Sequence, residues 1–433
     1  MTQILNGRKR KMDKSVEQSL NEKEKWDKIS YIGINLGIFL YGVSMVYLFY
    51  KQTQWVDGSV YESDLPAHIK MIVEDGWYYS LTAFVYQALY KLPFGDLAIS
   101  LFLSVCSVIS VYLTYRILLK LNGMCKLGLG IIGRRSSKVT KHLVADRIIV
   151  YRSLFLLAAW ALNLVMGCYV KGIADGRYIG MESASIWHNS TYIVMKAAAL
   201  ACILYYLQLE PIYRDELNGK RWCIFTVLLM ICTGIKPSFL MVFAPMMALF
   251  LLADLLQGTP FKKVFCFGLT VIPSLFVILF QNAILFGADT GNGWELRPGY
   301  ALGLHSGHPL IAAGLSILFP LMVLVFHIRD LKKDRWFLGA WLMAGFGFLE
   351  LFLFCETGGR ASDGNFMWGY SFAILAIFVV SILKWWQDAI TTGKNLLRRT
   401  YIVLAGIVFL YHLYCGIYFY LNLIQGVSYW MWD

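Results

Sequence analysis

Two carboxylates and a histidine fall within eight residues, in the order Tyr61, Glu62, Ser63, Asp64, Leu65, Pro66, Ala67, His68. A carboxylate within hydrogen-bond reach of a hydroxyl can take its proton. A nearby histidine can orient that carboxylate, contact a phosphate or cap a following helix. Glu62 and Asp64 stand two apart, so an extended backbone would turn both the same way, and Pro66 disfavours a regular helix through them. Asp64 is the expected base; Glu62 is its alternative, or a supporting or metal-holding partner. The competing reading of the pair is a solvated loop. Ionisable groups gathered beside a membrane-length apolar segment are the expected place for chemistry, which points to an intramembrane enzyme.

The elements that must position these residues are helices in lipid. The 433 residues are 58% hydrophobic, 16% aromatic and only 15% charged, with a mean hydropathy of +0.57. A soluble chain carries about 25% charged residues, so the expected class is an all-α polytopic membrane protein. Apolar runs of about 20 residues match the hydrocarbon thickness at helical rise, and alternating ten-residue strands are not seen. About eleven spans are predicted: Ser30–Tyr50, Asp96–Leu118, Ile148–Val170, Thr191–Leu209, Trp222–Ile235, Pro237–Leu256, Val264–Leu285, Pro309–His327, Trp336–Cys355, Met367–Lys384 and Tyr401–Leu423. Trp77–Leu92 is too short to span, and its helical spacing of apolar residues predicts a helix lying in the interface.

Lys and Arg concentrate in residues 1–29 and in alternate loops, which predicts a cytoplasmic N-terminus and an outer C-terminus. Residues 1–29 read as a disordered basic tail, and 30–433 as one transmembrane domain in a multi-pass cell (plasma) membrane protein. The net charge of +12 is then a topology signal and an attraction to anionic lipid, with no nucleic-acid partner expected. The outer loops fall at 51–95, 171–190, 286–308 and 356–366, and hold most of the remaining chemistry-bearing residues. The cysteines have no metal-ligand spacing and read as buried thiols. Asn189, Ser190 and Thr191 form a glycosylation sequon. Tyr429, Trp430, Met431 and Trp432 read as an aromatic interfacial anchor.

The acid-bearing loop after the first span, the amphipathic stretch behind it and the many-span topology resemble the GT-C class of glycosyltransferases. The resemblance implies a polyprenyl-phosphate sugar donor, a glycan, glycolipid or cell-surface polymer acceptor, and an acidic catalytic residue in the first outer loop, here Asp64 or Glu62. Such a reaction needs a base for the acceptor hydroxyl and cationic or hydrogen-bonding groups for the departing phosphate. Arg297 and Arg360 beside Gly-rich loops are the first candidates for the phosphate, with Lys236, Lys196, His68 and His305 as further substrate-binding candidates. Each cation has the plainer reading of pairing with lipid headgroups. No cofactor is assigned from the residues, and a divalent metal ion stays open. Glu350, about two turns inside the ninth span, is costly there unless paired or protonated. The alternatives are a lipid-linked oligosaccharide flippase, and an O-antigen-type polymerase or ligase that relies on outer Arg and His residues.

Overall fold

The computed structural model describes residues 2–132, 152–174, 176, 182–216, 219–287, 291–304, 306–391, 393 and 395–429. In chain order the helices are α1 (Thr2–Thr53), α2 (Leu65–Val73), α3 (Leu81–Tyr90), α4 (Gly95–Ile132), α5 (Arg152–Leu162), α6 (Ser190–Leu209), α7 (Gly219–Ile235), α8 (Ser238–Leu256), α9 (Phe261–Gly268), α10 (Ile272–Leu285), α11 (Tyr300–Gly303), α12 (Pro309–Ser316), α13 (Leu318–Phe326), α14 (Arg335–Leu353), α15 (Trp368–Thr391) and α16 (Leu396–Ile424). The protein is an all-α, multi-pass integral membrane protein. Among the described residues, eight helical segments are long and apolar enough to cross a membrane, or nine if the bent pair α12 and α13 is one span. Helix α1 continues N-terminally through 2–29, the stretch read from sequence as a disordered tail.

The count therefore falls below the eleven predicted spans. Residues 148–151 lie outside the described residues, and the rest of the third predicted span is helical only over the eleven residues of α5. From Asn163 to Val170 the chain is non-helical, and it is buried as far as Cys168. A backbone at this depth must find partners for its polar groups. Asn163 donates to the Ala159 carbonyl at 2.9 Å and the Thr114 hydroxyl at 3.1 Å. Met166 N–H reaches the His412 carbonyl at 3.1 Å, and Cys168 N–H reaches the Leu315 carbonyl at 3.1 Å. The eighth predicted span bends by 73° between α12 and α13. Pro320, inside the first turn of α13, cannot donate to the Ser316 carbonyl, so a straight helix would lose that bond. His412 of α16 stitches both features, with Nδ1 2.6 Å from the Met166 carbonyl and Nε2 accepting from Phe319 N–H at 3.3 Å.

Helix α16 reaches this loop through a glycine. A Cβ at Gly416 would lie 1.6 Å from the Leu164 carbonyl oxygen, so any side chain must push the loop away. Gly416→Ala is expected to lower stability by about 2 kcal/mol or more, read as thermal unfolding in detergent. An unchanged transition would show that the loop does not seat against α16.

Helix α15 is the hub: 89% of its most apolar window is buried, against 28% for α16. It packs on α14, α8 and α13. Exposed Leu, Ile, Val and Phe side chains on α1, α10 and α16 form faces suited to lipid.

At the end of the bundle where α6 and α8 finish and α14 begins, buried charges are paired. Arg335 bonds Asp254 at 2.7 and 2.8 Å and Glu210 at 2.9 Å, while Arg214 bonds the same two carboxylates at 2.9 and 2.7 Å. Tyr213 also donates to Asp254. A second set at this end joins His327 to Asp330 and Asp388, and Lys384 to Asp330 and Asp334. Removing one partner of a buried pair leaves the others uncompensated. Asp254→Ala should therefore cost about 3 kcal/mol, and a thermal transition equal to wild type would count against these pairs as the clamp between α6, α8 and α14.

Candidate functional site

The loops gathered by sequence reasoning meet at the opposite end of the bundle, around a cavity of about 920 Å³. Its walls come from α2, the start of α6, the turn between α7 and α8, the last turns of α10, the end of α14 and the 356–368 segment. A two-stranded antiparallel pair, β1 (Trp294–Leu296) and β2 (Phe354–Glu356), ties the 291–304 loop to α14, with Trp294 opposite Glu356.

Asp64 lines this cavity as the residue before α2. Pro66 sits in the first turn of that helix, where its missing N–H costs nothing. Ser63 fixes the entry, donating to the His188 carbonyl at 2.8 Å and accepting from Leu65 N–H at 3.2 Å. Asn189 donates to Asp64 Oδ2 at 2.9 Å, while its own carbonyl oxygen caps α6 by accepting from Tyr192 N–H. Oδ1 of Asp64 has no hydrogen-bond donor among the described residues. The Asn189 sequon is thus a buried cap.

Glu62 does not share this placement. It accepts from Ser428 at 2.9 Å and is not part of the cavity wall. Asp64 already lies in the helical turn that opens α2, so the pair is not extended; Tyr61, just before Glu62, adopts φ +68°, a rare conformation for a bulky residue. Tyr61 is held there by bonds to Tyr47 at 2.9 Å and to the Ile424 carbonyl at 3.2 Å.

Two cations face the same space. Lys236, from the turn between α7 and α8, donates to Thr191 at 3.0 Å and stands 4.6 Å from the centre of the Trp368 ring. Arg360 lies between Glu356 at 3.4 Å and Asp363 at 3.6 Å, and Asn365 donates to Glu356 at 2.5 Å. His68 is in the wall with Nδ1 3.1 Å from the Ser190 hydroxyl.

The other candidates lie elsewhere. Lys196 is buried behind the wall, donating to the Ala184 carbonyl at 3.0 Å, a structural use. Arg297 is exposed and stacks over Tyr300 at 3.9 Å, outside the cavity wall. His305 lies outside the described residues.

His188, Tyr429, Glu356 and Asn365 also belong to the wall and are not among the sequence candidates. His188 stacks on Tyr429 with ring centres 3.8 Å apart. Tyr429, read as part of an interfacial anchor, is 5% exposed and closes the cavity; Trp430–Trp432 lie outside the described residues. Glu356 and Asn365 belong to the Gly-rich run, whose density of hydrogen-bonding groups was the available signal.

Burial sets the charge states here. It lowers His68 to about 3, with the charges of Lys236 and Arg360 acting the same way. It lowers His188 to about 4, against the pull of Asp64. Both rings are therefore neutral near pH 7, which removes a cationic role for His68. Burial lowers Lys236 to about 7, with Asp64 and Glu356 opposing the shift and Arg360 adding to it. Burial raises Glu356 against the charge of Arg360, and likewise raises Asp363.

Chemically, the arrangement offers one carboxylate oxygen for a proton and two cations for an anion, beside the apolar side chains of Met241, Ile278, Leu285 and Phe286. Among the described residues, no group of three or more His, Cys, Asp or Glu side chains could hold a metal ion. The fold and cavity define a polytopic helical membrane protein with a charged chamber at one end of its bundle. No protein-family model and no curated protein matches the chain.

Proposed function

We propose that this chain is a GT-C-type membrane glycosyltransferase that moves a sugar from a polyprenyl-phosphate carrier to a glycan, glycolipid or cell-surface acceptor at the outer face of the cell membrane. The observation that carries the reading is that Asp64 shares one cavity with Lys236 and Arg360. In this reading the acceptor hydroxyl gives its proton to Asp64 Oδ1 as its oxygen attacks the anomeric carbon. The bond from that carbon to the carrier phosphate oxygen breaks, and the electron pair leaves with the phosphate. Lys236 and Arg360 hold the developing charge in a partly dehydrated site, where such contacts are strongest. Glu356 and Asp363 position Arg360. The apolar wall suits a prenyl chain. The positive-inside pattern supports an outer site and a cytoplasmic N-terminus.

The test compares carrier-linked sugars and surface glycans, by mass spectrometry, in cells lacking the protein and in cells restored with wild type, Asp64→Asn or Arg360→Ala. Accumulated polyprenyl-phosphate sugar and a glycan short by one sugar, relieved only by wild type, support the transferase and identify the sugar. Full rescue by Asp64→Asn sinks it. Rescue by Asp64→Asn but not Arg360→Ala would favour the polymerase or ligase alternative, and rescue by both would favour a flippase.

A further inference from the structure

His68 carries a ring nitrogen that the transferase reading leaves without a task. The imidazole is fixed on one side, with Nδ1 3.1 Å from the Ser190 hydroxyl. Its Nε2 has no partner among the described residues and is not one of their fully enclosed polar atoms, while the ring lines the cavity. One polar atom therefore faces the chamber from a ring whose orientation Ser190 sets.

His68 stands one helical turn after Asp64. Its N–H bonds the Asp64 carbonyl at 3.0 Å, and residues four apart share a helix face with Cβ atoms about 5–6 Å apart. Asp64, Ala67, His68 and Met71 accordingly make up the face of α2 that lines the cavity. Two hydroxyls on neighbouring carbons, with a hydrogen bond of about 2.8 Å at each end, can span that separation.

The surroundings of the free nitrogen select its partner. Lys236 and Arg360 are close enough to lower the basicity of His68, so an ammonium beside it would face two cations already in place. A phosphate has those cations to bind, and a neutral imidazole adds at most one uncharged hydrogen bond to it. A hydroxyl both donates and accepts, so it fits Nε2 in either tautomer. Asn282, Asn292 and Ser362 add further neutral polar groups to the same wall.

We propose that Asp64 and His68 together receive two neighbouring hydroxyls of the acceptor, the attacking one on Asp64 Oδ1 and the next on His68 Nε2. The acceptor is then a sugar with a vicinal diol, and an isolated hydroxyl, such as that of a serine side chain, fits less well. The assignment rests on the transferase reading for which hydroxyl attacks; diol binding can be measured without turnover.

The experiment uses the full chain in nanodiscs and follows tryptophan fluorescence, since Trp77, Trp294 and Trp368 line the cavity. The probes are cis- and trans-cyclohexane-1,2-diol and trans-cyclohexane-1,4-diol, which share one composition and differ in the spacing of the hydroxyls. At least one 1,2-diol should bind about fivefold tighter than the 1,4-diol, the worth of one further hydrogen bond. In His68→Gln the side-chain amide reaches as far as Nε2, so the preference should persist within about twofold. In His68→Asn it reaches only as far as Nδ1, keeping the link to Ser190, and the preference should vanish. Should either variant not fold, a fall of the preference in Ser190→Ala, which frees the ring, decides. Equal binding of the three diols, no saturable binding of any, a preference retained in His68→Asn, or a loss as large in His68→Gln as in His68→Asn overturns the assignment. None of these touches the transferase reading, which is judged by Asp64→Asn in cells. A diol preference alongside full rescue by Asp64→Asn would keep the diol contact and sink the transfer.

Discussion

Replacing Asp64 with Asn is expected to reduce the proposed sugar transfer by about 10²- to 10⁴-fold, the usual contribution of a positioned general base. The variant keeps the size of the side chain and an oxygen able to accept from Asn189, so the 2.9 Å bond can persist. What disappears is the capacity to take a proton. The loss should appear in kcat and in kcat/KM together, because the proton moves only in the transition state. Stability should change little, since removing a charge at the start of α2 costs about 0.3–1 kcal/mol. Glu62→Gln is the matching control: Glu62 accepts from Ser428 outside the cavity wall, so transfer should stay within about threefold of wild type. Loss of transfer in Glu62→Gln with retention in Asp64→Asn would reverse the assignment of the base.

That contrast marks how far the sequence could be read. Length and apolarity identify a helix when it crosses lipid unaided, so α4, α6, α8 and α15 stand near their predicted positions. Apolarity cannot separate a span from a buried loop, and Asn163–Val170 is as apolar as a helix would be. Its non-helical path depends on Gly416 and His412, some 250 residues away. The same limit applies to the site. Alternation of basic and polar loops was enough to bring Asp64, Lys236 and Arg360 toward one end. Which side chains enter the cavity turns on single backbone angles and distant partners. Asp64 turns with the start of α2 while Glu62 pairs with Ser428, and Ala184 engages Lys196 behind the wall. Tyr429 enters because Gly426 turns the chain after α16 at φ +85°, an angle an L residue rarely adopts.

Lys236 gives the second large effect, and its sign is testable by pH. Its ammonium is lowered to about 7 by burial, so in the free protein the charge that would meet the donor phosphate is lost as pH rises through that value. The ratio kcat/KM for the donor reports ionisations of the free enzyme, so it should fall above about pH 7 in wild type. Lys236→Arg keeps its charge throughout and should lose that descending limb. Lys236→Met should be low at every pH, on the order of a hundredfold below wild type at pH 6. Stability runs the other way. An ordinary lysine titrates near 10.4 when unfolded, so between about 7 and 10.4 the unfolded chain binds more protons, and wild-type stability rises with pH across that window. Below about 7 the folded protein carries the full cost of a buried ammonium, and Lys236→Met removes that cost. The variant should therefore unfold at a higher temperature than wild type at pH 6, with the gap narrowing toward pH 9. An equal gap at both pH values would mean that Lys236 is not held partly neutral. A gap that narrows while the pH limb of Lys236→Arg persists would assign that limb to another group. A residue that costs stability while serving a proposed phosphate contact is what a site kept for function is expected to contain.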